Sequence, residues 1–438
     1  MSRKERAARA VAARLREAGY TAYLAGGCVR DRLLGLEPKD FDVASNAAAE
    51  VVQRLFAKTI PVGVQFGVLV VVEDEQTVEV ATFRADDVYL DGRHPTAVRF
   101  SSPEEDARRR DITINGMFLD PLTDTIIDYV DGQADLRRGI IRAIGDPAAR
   151  ISEDRLRMLR AVRFAARFGF AIEPATFAAI RAAAPSIVDI AWERIGDEIV
   201  RILTDGHAGS ARRGFELLDG SGLLPPVLPE VAALKGVAQS PDYHPEGDVW
   251  LHTLGLLEQL EQPSETLALG ALLHDIAKPA TAQIRETRIT FYGHCEVGAD
   301  MAVAICQRLR RSRETWERVA YLVHDHLRLV QAPAMRLSTL KRFLAHEGID
   351  ELLRLAQLDA LASNQDLSFH DFCRRKLEEL SAEEITPPPL LRGTDLLELG
   401  LEPGPRFGEI LAAVSDAQLE GTLTTRDQAL AWVRTRFL

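Results

Sequence analysis

Cysteine is scarce, with four residues in a chain of 438, Cys28, Cys295, Cys306 and Cys373, and no two of them stand in a CxxC spacing. That excludes a disulfide framework, and the four are expected as reduced thiols. No apolar run approaches the ~20 residues that a membrane helix needs, so no span is expected. From Met1 to Arg16 the sequence alternates Arg with Ala and has no apolar h-region, which argues against a secretory leader and for a cytoplasmic protein. Positive charge is in deficit: 53 Lys plus Arg stand against 65 Asp plus Glu, a formal net of -12. This excludes a uniformly basic surface for gripping a polyanion, but not a local basic site, because the nearby field is what a ligand meets. Arginine is in fact concentrated between Arg137 and Arg167, where acidic residues are few. There is no internal repeat and no low-complexity tract. What is present is 46% hydrophobic content, enough to fill cores in two or more domains.

Up to about Gly145 the pattern mixes helix and strand. A helix is expected near Lys4 to Ala18, then a strand at Tyr20 to Ala25, then a helical stretch at Val29 to Leu34 behind Gly26-Gly27. Phe41 to Ala44 reads as a strand and Ala47 to Phe56 as a helix. Val68 to Val72 and Thr77 to Phe83 read as paired strands, and Ile112 to Leu119 with Thr125 to Tyr129 as a second hairpin. From Ser152 onward the spacing turns to the helical 3.6 and strand signals nearly vanish. Lys235 to Glu246 reads as a linker, and Val249 to Leu380 as a second helical block. Beyond Pro387-Pro388-Pro389 lies a short tail in which Gly404 precedes a helical run, a place for a phosphate or an ordinary packing element. The expected fold class is α+β: a small head with a mixed sheet and helices (1–145), a helical neck (146–240), a metal-binding helical domain (241–380) and a helical tail (381–438).

Asp40 and Asp42 flank Phe41 at the start of the expected strand. Side chains two apart on a strand share a face, so the two carboxylates should converge. Converging carboxylates repel unless a cation neutralises them, and Mg²⁺ shared with substrate phosphates is the usual resolution. Glu79, on the strand Thr77 to Phe83, is a third candidate ligand. The tripeptide alone also fits a solvated turn. Upstream, however, Gly26-Gly27 lets backbone approach an anion, the next helix start favours negative charge, and Arg30 can clamp a phosphate.

The run GGCVRDRLLGLEPKDFDVAS, from Gly26 to Ser45, resembles the head signature of the class II tRNA nucleotidyltransferase and bacterial poly(A) polymerase family. The resemblance continues through ATFRADDVYLDGRHPTAVRF, RRRDITING, DGQADLRRGIIRAIGDP and EDRLRMLRAVRFAARFGF, in order, to Phe170. It implies two-metal nucleotidyl transfer with Mg²⁺ held by Asp40, Asp42 and Glu79, the triphosphate bridged to an RNA 3′-hydroxyl. Arg110 and Asp111 match the motif in which the arginine meets the nucleotide and the aspartate its ribose. Arg109 stays open for a phosphate role.

Asp154 and Arg157 are three apart, so a helix would place them on one face. A carboxylate only accepts and a guanidinium only donates. Cytosine and adenine offer an exocyclic amino group beside a ring-nitrogen acceptor, whereas guanine and uracil offer a carbonyl beside a ring N–H. The pair therefore suits C and A, and the resemblance implies that it serves as a protein template. Arg160 and Arg163 continue the same face, for phosphate or base contact, although a basic face alone also fits a solvated surface.

The second block holds His252, His274-Asp275, His294, His326 and Asp359. Imidazole and carboxylate suit a divalent transition metal or Mg²⁺, not a soft thiolate site. The order, with LLHDIAK around the doublet, resembles the HD phosphohydrolase superfamily. That resemblance implies one metal on His252, His274, Asp275 and Asp359, with His294 and His326 as further ligands, and water-dependent phosphoester hydrolysis at RNA 3′ ends. Together the resemblances imply addition of CCA to the 3′ end of tRNA from CTP and ATP, with no membrane partner. The alternatives are an A-adding enzyme, a poly(A) polymerase, or chiefly an HD phosphohydrolase with an RNA-docking head. An intact stretch from Arg84 to Pro95 favours A addition, and the lack of a basic run in Pro61 to Val72 weighs against poly(A) synthesis.

Overall fold

The computed structural model describes residues 1–63, 67–86, 98–239, 247–285 and 288–438. Most of the stretch from Arg84 to Pro95 and of the linker Lys235 to Glu246 therefore lies outside the described residues. The chain divides into two compact units, one of Met1–Ala232 with Leu260–Gln262, the other of Ala233–Gln259 with Pro263–Leu438.

The first unit is built on a sheet whose strands are β1 (Ala22–Ala25), β2 (Asp42–Ser45), β3 (Thr59–Gly63), β4 (Val68–Glu73) and β5 (Gln76–Thr82). A separate ribbon pairs β6 (Arg84–Asp86) with β7 (Val98–Phe100), and β8 (Met117–Leu119) and β9 (Ile126–Asp128) complete the sheet. The order is β3-β4-β5-β2-β1-β8-β9, with β2 and β5 parallel and the other neighbours antiparallel. Helix Arg3–Glu17 is capped by Ser2 and buries Ala7, Ala8, Val11, Ala12 and Leu15, an i, i+4 stripe laid on β1 and β5. Helices Pro147–Glu153, Leu156–Phe168, Pro174–Ala183, Trp192–Thr204 and Ser210–Gly220 follow. The expected strand Ile112 to Leu119 starts later than its composition indicates: Thr113–Asn115 is a 3-10 turn, and only Met117–Leu119 pairs.

In the second unit, helices Val249–Glu258, Glu265–Leu273, His294–Arg308, Arg313–Asp325 and Ile349–Ala362 pack together. A short ribbon, Gln283–Arg285 with Arg288–Thr290, interrupts the helical pattern. The tail helices Pro405–Leu419 and Arg426–Phe437 close a small core of their own around Leu396, Ile410, Val414 and Val433. Among the described residues no helix is long and apolar enough to cross a membrane.

Candidate functional site

Sheet register builds the first site. Ala25 pairs with Asp42, so the chain leaves β1 at Gly26-Gly27 beside that carboxylate. Val43 pairs with Val80 in the parallel β2–β5 ladder, which brings Asp42 and Glu79 to neighbouring strand positions. Both carboxyls are pushed up from their ordinary values by lost hydration in the cleft, and for Asp42 the facing Glu79 charge adds to this, taking it to about 6. Gly26 sits at φ 71°, where a side chain would meet Arg110 Nη1 at 2.9 Å, so the residue keeps the turn clear for that guanidinium.

Asp42, Glu79, Gly26 and Gly27 line a cleft of about 540 Å³ together with Asp111, Asp154 and eight arginines: Arg30, Arg84, Arg109, Arg110, Arg157, Arg160, Arg163 and Arg167. That is the size of a small-molecule site. Twice as many arginines as carboxylates makes it a basic hollow in an acidic chain, suited to a polyanion.

Asp40 is not among the lining residues. Its strand begins only at Asp42, so alternation does not align the two, and its exposed carboxylate pairs with Lys4 at 3.0 Å. Arg30 is buried between the Phe164 and Phe168 rings and donates to Asp31 and Asn115. Asp106, 1% exposed, holds Arg109 on one oxygen at 2.7 Å and Arg110 on the other at 3.0 Å. Arg160 binds Asp111 at 2.6 Å and, despite burial, holds that carboxyl well below the usual range. Arg163 is buried against Glu198 at 2.7 Å and reaches Asp205 at 3.3 Å.

Asp154 and Arg157 meet in the cleft by a different route from the one their spacing predicts. Asp154 ends helix Pro147–Glu153 with an extended backbone (φ -147°), and helix Leu156–Phe168 begins after it. Its Oδ1 accepts from Leu156 N at 3.1 Å, and Arg194 donates to both oxygens at 3.2 and 2.8 Å. Arg157 donates to Glu153 and to the Arg150 and Arg109 carbonyls. Sequence reading missed Asp106, Asn115, Arg194 and Glu198. Only Asp106 left a signal, standing three and four residues before Arg109 and Arg110.

The second site gathers the six residues His252, His274, Asp275, His294, His326 and Asp359. His252 Nε2 lies 3.0 Å from Asp359 Oδ1. Asp275 faces four imidazole Nε2 atoms, that of His252 at 3.9 Å and, on three further rings, those of His274 at 3.2 Å, His294 at 3.5 Å and His326 at 3.9 Å. In each of these three further rings Nδ1 faces a backbone carbonyl: Ala271 at 3.0 Å for His274, Phe291 at 2.7 Å for His294 and Val323 at 2.7 Å for His326. Those bonds place the proton on Nδ1 and turn a lone pair at Nε2 toward the carboxylate. Burial lowers His294 and takes His326 down to about 4, so both rings are neutral near pH 7. Burial opposes the Asp275 charge, but Lys278, 2.6 Å away, outweighs it and holds the carboxyl well below the usual carboxylate range. The fully buried His274 Nε2 makes no hydrogen bond. Lone pairs aimed at a carboxylate repel, and a divalent cation between them resolves the conflict, so the donor set fits a metal. A hollow of about 350 Å³, lined by Lys278, Tyr292 and the cluster, opens onto it.

Residues 22–142 match the family described as poly A polymerase head domain, residues 169–235 that of a probable RNA and SrmB-binding site of polymerase A, and residues 246–363 the HD domain. The chain is 31% identical over 429 residues to a CCA-adding enzyme of Streptococcus pneumoniae serotype 19F, covering 97% of this chain and 95% of the relative. It is 34% identical over 434 residues to an A-adding tRNA nucleotidyltransferase of Deinococcus radiodurans, covering 94% and 95%. With a CCA-adding enzyme of Ligilactobacillus salivarius the identity is 40% over 240 residues, 54% of this chain and only 59% of the relative. The crystal structure of the Bacillus stearothermophilus CCA-adding enzyme in complex with CTP superimposes with a TM-score of 0.74 at 27% identity, covering 100% of this chain and 98% of that one.

Proposed function

Because the chain belongs to the CCA-adding enzyme family of tRNA nucleotidyltransferases, we propose that it extends the 3′ end of tRNA with C and A nucleotides taken from CTP and ATP. The observation that carries this reading is the cleft, where Asp42 and Glu79 stand at the sheet, arginines fill the centre, and Asp154 with Arg157 stand together on its wall. Asp42 and Glu79 would hold Mg²⁺, with Asp40 joining them by exchanging its exposed Lys4 partner for the ion, which when bound neutralises the triphosphate and lowers the pKa of the attacking 3′-hydroxyl. Arg30 and Arg109 orient phosphates, Arg110 meets the nucleotide and Asp111 its ribose, and Arg160 and Arg163 contact phosphate or base. The head (1–145) supplies the chemistry and the neck (146–240) reads the base and grips the RNA. A cytoplasmic place of action goes with a tRNA substrate.

The test uses pure full-length protein, tRNAs ending before CCA, after C and after CC, and each labelled NTP in turn. Two CTP additions followed by one ATP addition are expected. Incorporation of GTP or UTP at comparable rates, or no incorporation at all, would overturn the reading. A second reading is favoured by the 34% identity to an A-adding relative over nearly the whole chain: addition of A alone, and only to tRNA ending in CC.

The HD domain (241–380) is proposed to hydrolyse phosphoesters at RNA 3′ ends, with a transition metal or Mg²⁺ on His252, His274, Asp275 and Asp359. The support is the HD match and the convergence of Nε2 atoms on Asp275.

A further inference from the structure

The donor set of the second unit is longer than its histidines and aspartates. Helix His294–Arg308 starts with His294 and Cys295 side by side, and Cys295 Sγ lies 3.6 Å from His294 Nε2 and 3.9 Å from His326 Nδ1. His294, Cys295 and His326 offer ligand atoms that all lie within 4.8 Å of one another, and they form a group separate from His252, His274 and Asp275. Asp275 bridges the two groups: its Oδ2 faces His274, while its Oδ1 stands 3.5 Å from His294 Nε2 and 3.9 Å from His326 Nε2. A tetrahedral ion with ~2.3 Å to sulfur and ~2.0–2.1 Å to nitrogen and oxygen spaces its ligand atoms by roughly 3.4–3.6 Å. The separations around Cys295 and His294 match that spacing. The His326 ring is held by the Val323 carbonyl so that Nε2 faces Asp275, and closing the set draws that Nε2 in toward the sulfur, whose present neighbour on the ring is Nδ1.

We propose that His294, Cys295, His326 and Oδ1 of Asp275 form a thiolate-containing metal site that selects a borderline-soft divalent ion such as Zn²⁺ or Co²⁺ over Mg²⁺. It rests on the reading of this unit as an HD metal centre, to which it adds a ligand and a class of metal. The spacing of the cysteines points away from sulfur chemistry, since Cys295 has no CxxC partner. The fold supplies its companions instead from the same helix start, His294, and from the turns that follow helices Glu265–Leu273 and Arg313–Asp325. On binding, the thiol gives its proton to solvent and the sulfur coordinates as thiolate. Replacing one hard oxygen donor by sulfur shifts preference away from Mg²⁺, which takes oxygen ligands in octahedral geometry.

The test uses the full chain carrying Asp42→Ala, so that the head carboxylates do not compete, stripped with a chelator and titrated with Co²⁺. A thiolate-to-cobalt charge-transfer band is expected, lost in Cys295→Ser and retained in His252→Ala. Zn²⁺ should displace the cobalt and a large excess of Mg²⁺ should not. Cys295→Ser should weaken Zn²⁺ binding by more than roughly tenfold, beyond what loss of an outer partner costs. Cobalt bound without the band, or a band unchanged in Cys295→Ser, overturns this proposal and leaves the HD reading standing. Failure to take up any divalent ion overturns both. The unsubstituted Cys295 spectrum decides the matter even if the serine variant does not fold.

Discussion

Replacing Asp154 by alanine should relax base choice far more than it weakens triphosphate binding. A carboxylate has about four acceptor sites. Three are taken, by Leu156 N and by the two nitrogens of Arg194, so one lone pair on Oδ2 is left for an exocyclic amino group. Arg157 has five N–H donors, and three contacts are spoken for by Glu153 and two carbonyls, which leaves donors for a ring nitrogen. A guanine or uracil would set carbonyl against carboxylate and N–H against guanidinium. Each unpaired group costs about 1–3 kcal/mol, so two give about 2–6 kcal/mol, or selectivity from roughly thirtyfold to tens of thousands-fold. Asp154→Ala removes the carboxylate's share, roughly five- to a hundredfold of that discrimination. Arg194→Ala leaves the carboxylate but frees its rotation, and should lose about tenfold. Steady-state kcat/KM for all four NTPs, on wild type and both variants, measures this directly. Full discrimination against GTP and UTP in Asp154→Ala would refute the reasoning, and the arginines of this helix would then serve only the backbone.

Three more outcomes follow from the geometry. Arg163→Met strands Glu198, 3% exposed, leaving it Arg201 at 3.9 Å as its ion-pair partner among the described residues. The cost should be about 3–5 kcal/mol, a melting temperature lower by roughly 6–20 °C, largely restored by adding Glu198→Leu, and a loss under ~1 kcal/mol would show that the pair is not structural. The Asp42 carboxyl, raised from 3.8 to about 6, keeps a proton between those values that an unfolded chain has released. Metal-free stability from this group therefore falls as pH rises through that window. Below about pH 6 cation binding must expel the proton, so the Mg²⁺ needed for nucleotide addition should rise by up to about tenfold per pH unit, and a Mg²⁺ requirement flat from pH 5 to 7 would contradict it. His252→Ala should abolish hydrolysis of a 2′,3′-cyclic phosphate while leaving nucleotide addition within about twofold of wild type, and equal loss of both would mean that the units do not work separately.

The sites were legible where chemistry sits in contiguous motifs. Gly26-Gly27, Asp42 and Glu79 were readable because a turn and two short strands carry them in one stretch. The histidine–aspartate set was readable from its order, although its ligands come from five separate segments. The failures have a common cause. Strand alternation was assumed to reach back to Asp40, but pairing with β1 starts at Asp42 and leaves Asp40 to Lys4. A continuous helix was assumed through Asp154, but the backbone turns extended there, which no local propensity reveals. Arg30 was read as a phosphate clamp and Arg163 as a phosphate or base contact, and the reading did not show that each also holds a partner distant in sequence, Asn115 and Glu198. Such partners are fixed by packing between elements.

The three carbonyl-anchored imidazoles have a consequence for how long the second unit survives. Ala271, Phe291 and Val323 fix the ring tautomers through backbone bonds, so the lone pairs are aimed before any ion arrives. An ion bound among them would relieve the repulsion between lone pairs and carboxylate, which would tie thermal resistance to its free concentration as RT ln(1 + [L]/Kd). An ion at a hundred times its dissociation constant adds about 2.7 kcal/mol to one unit and nothing to the other. Under metal starvation the C-terminal half would open first and be the first cut by proteases, and the protein's abundance would then follow the metal supply while its cleft stayed intact.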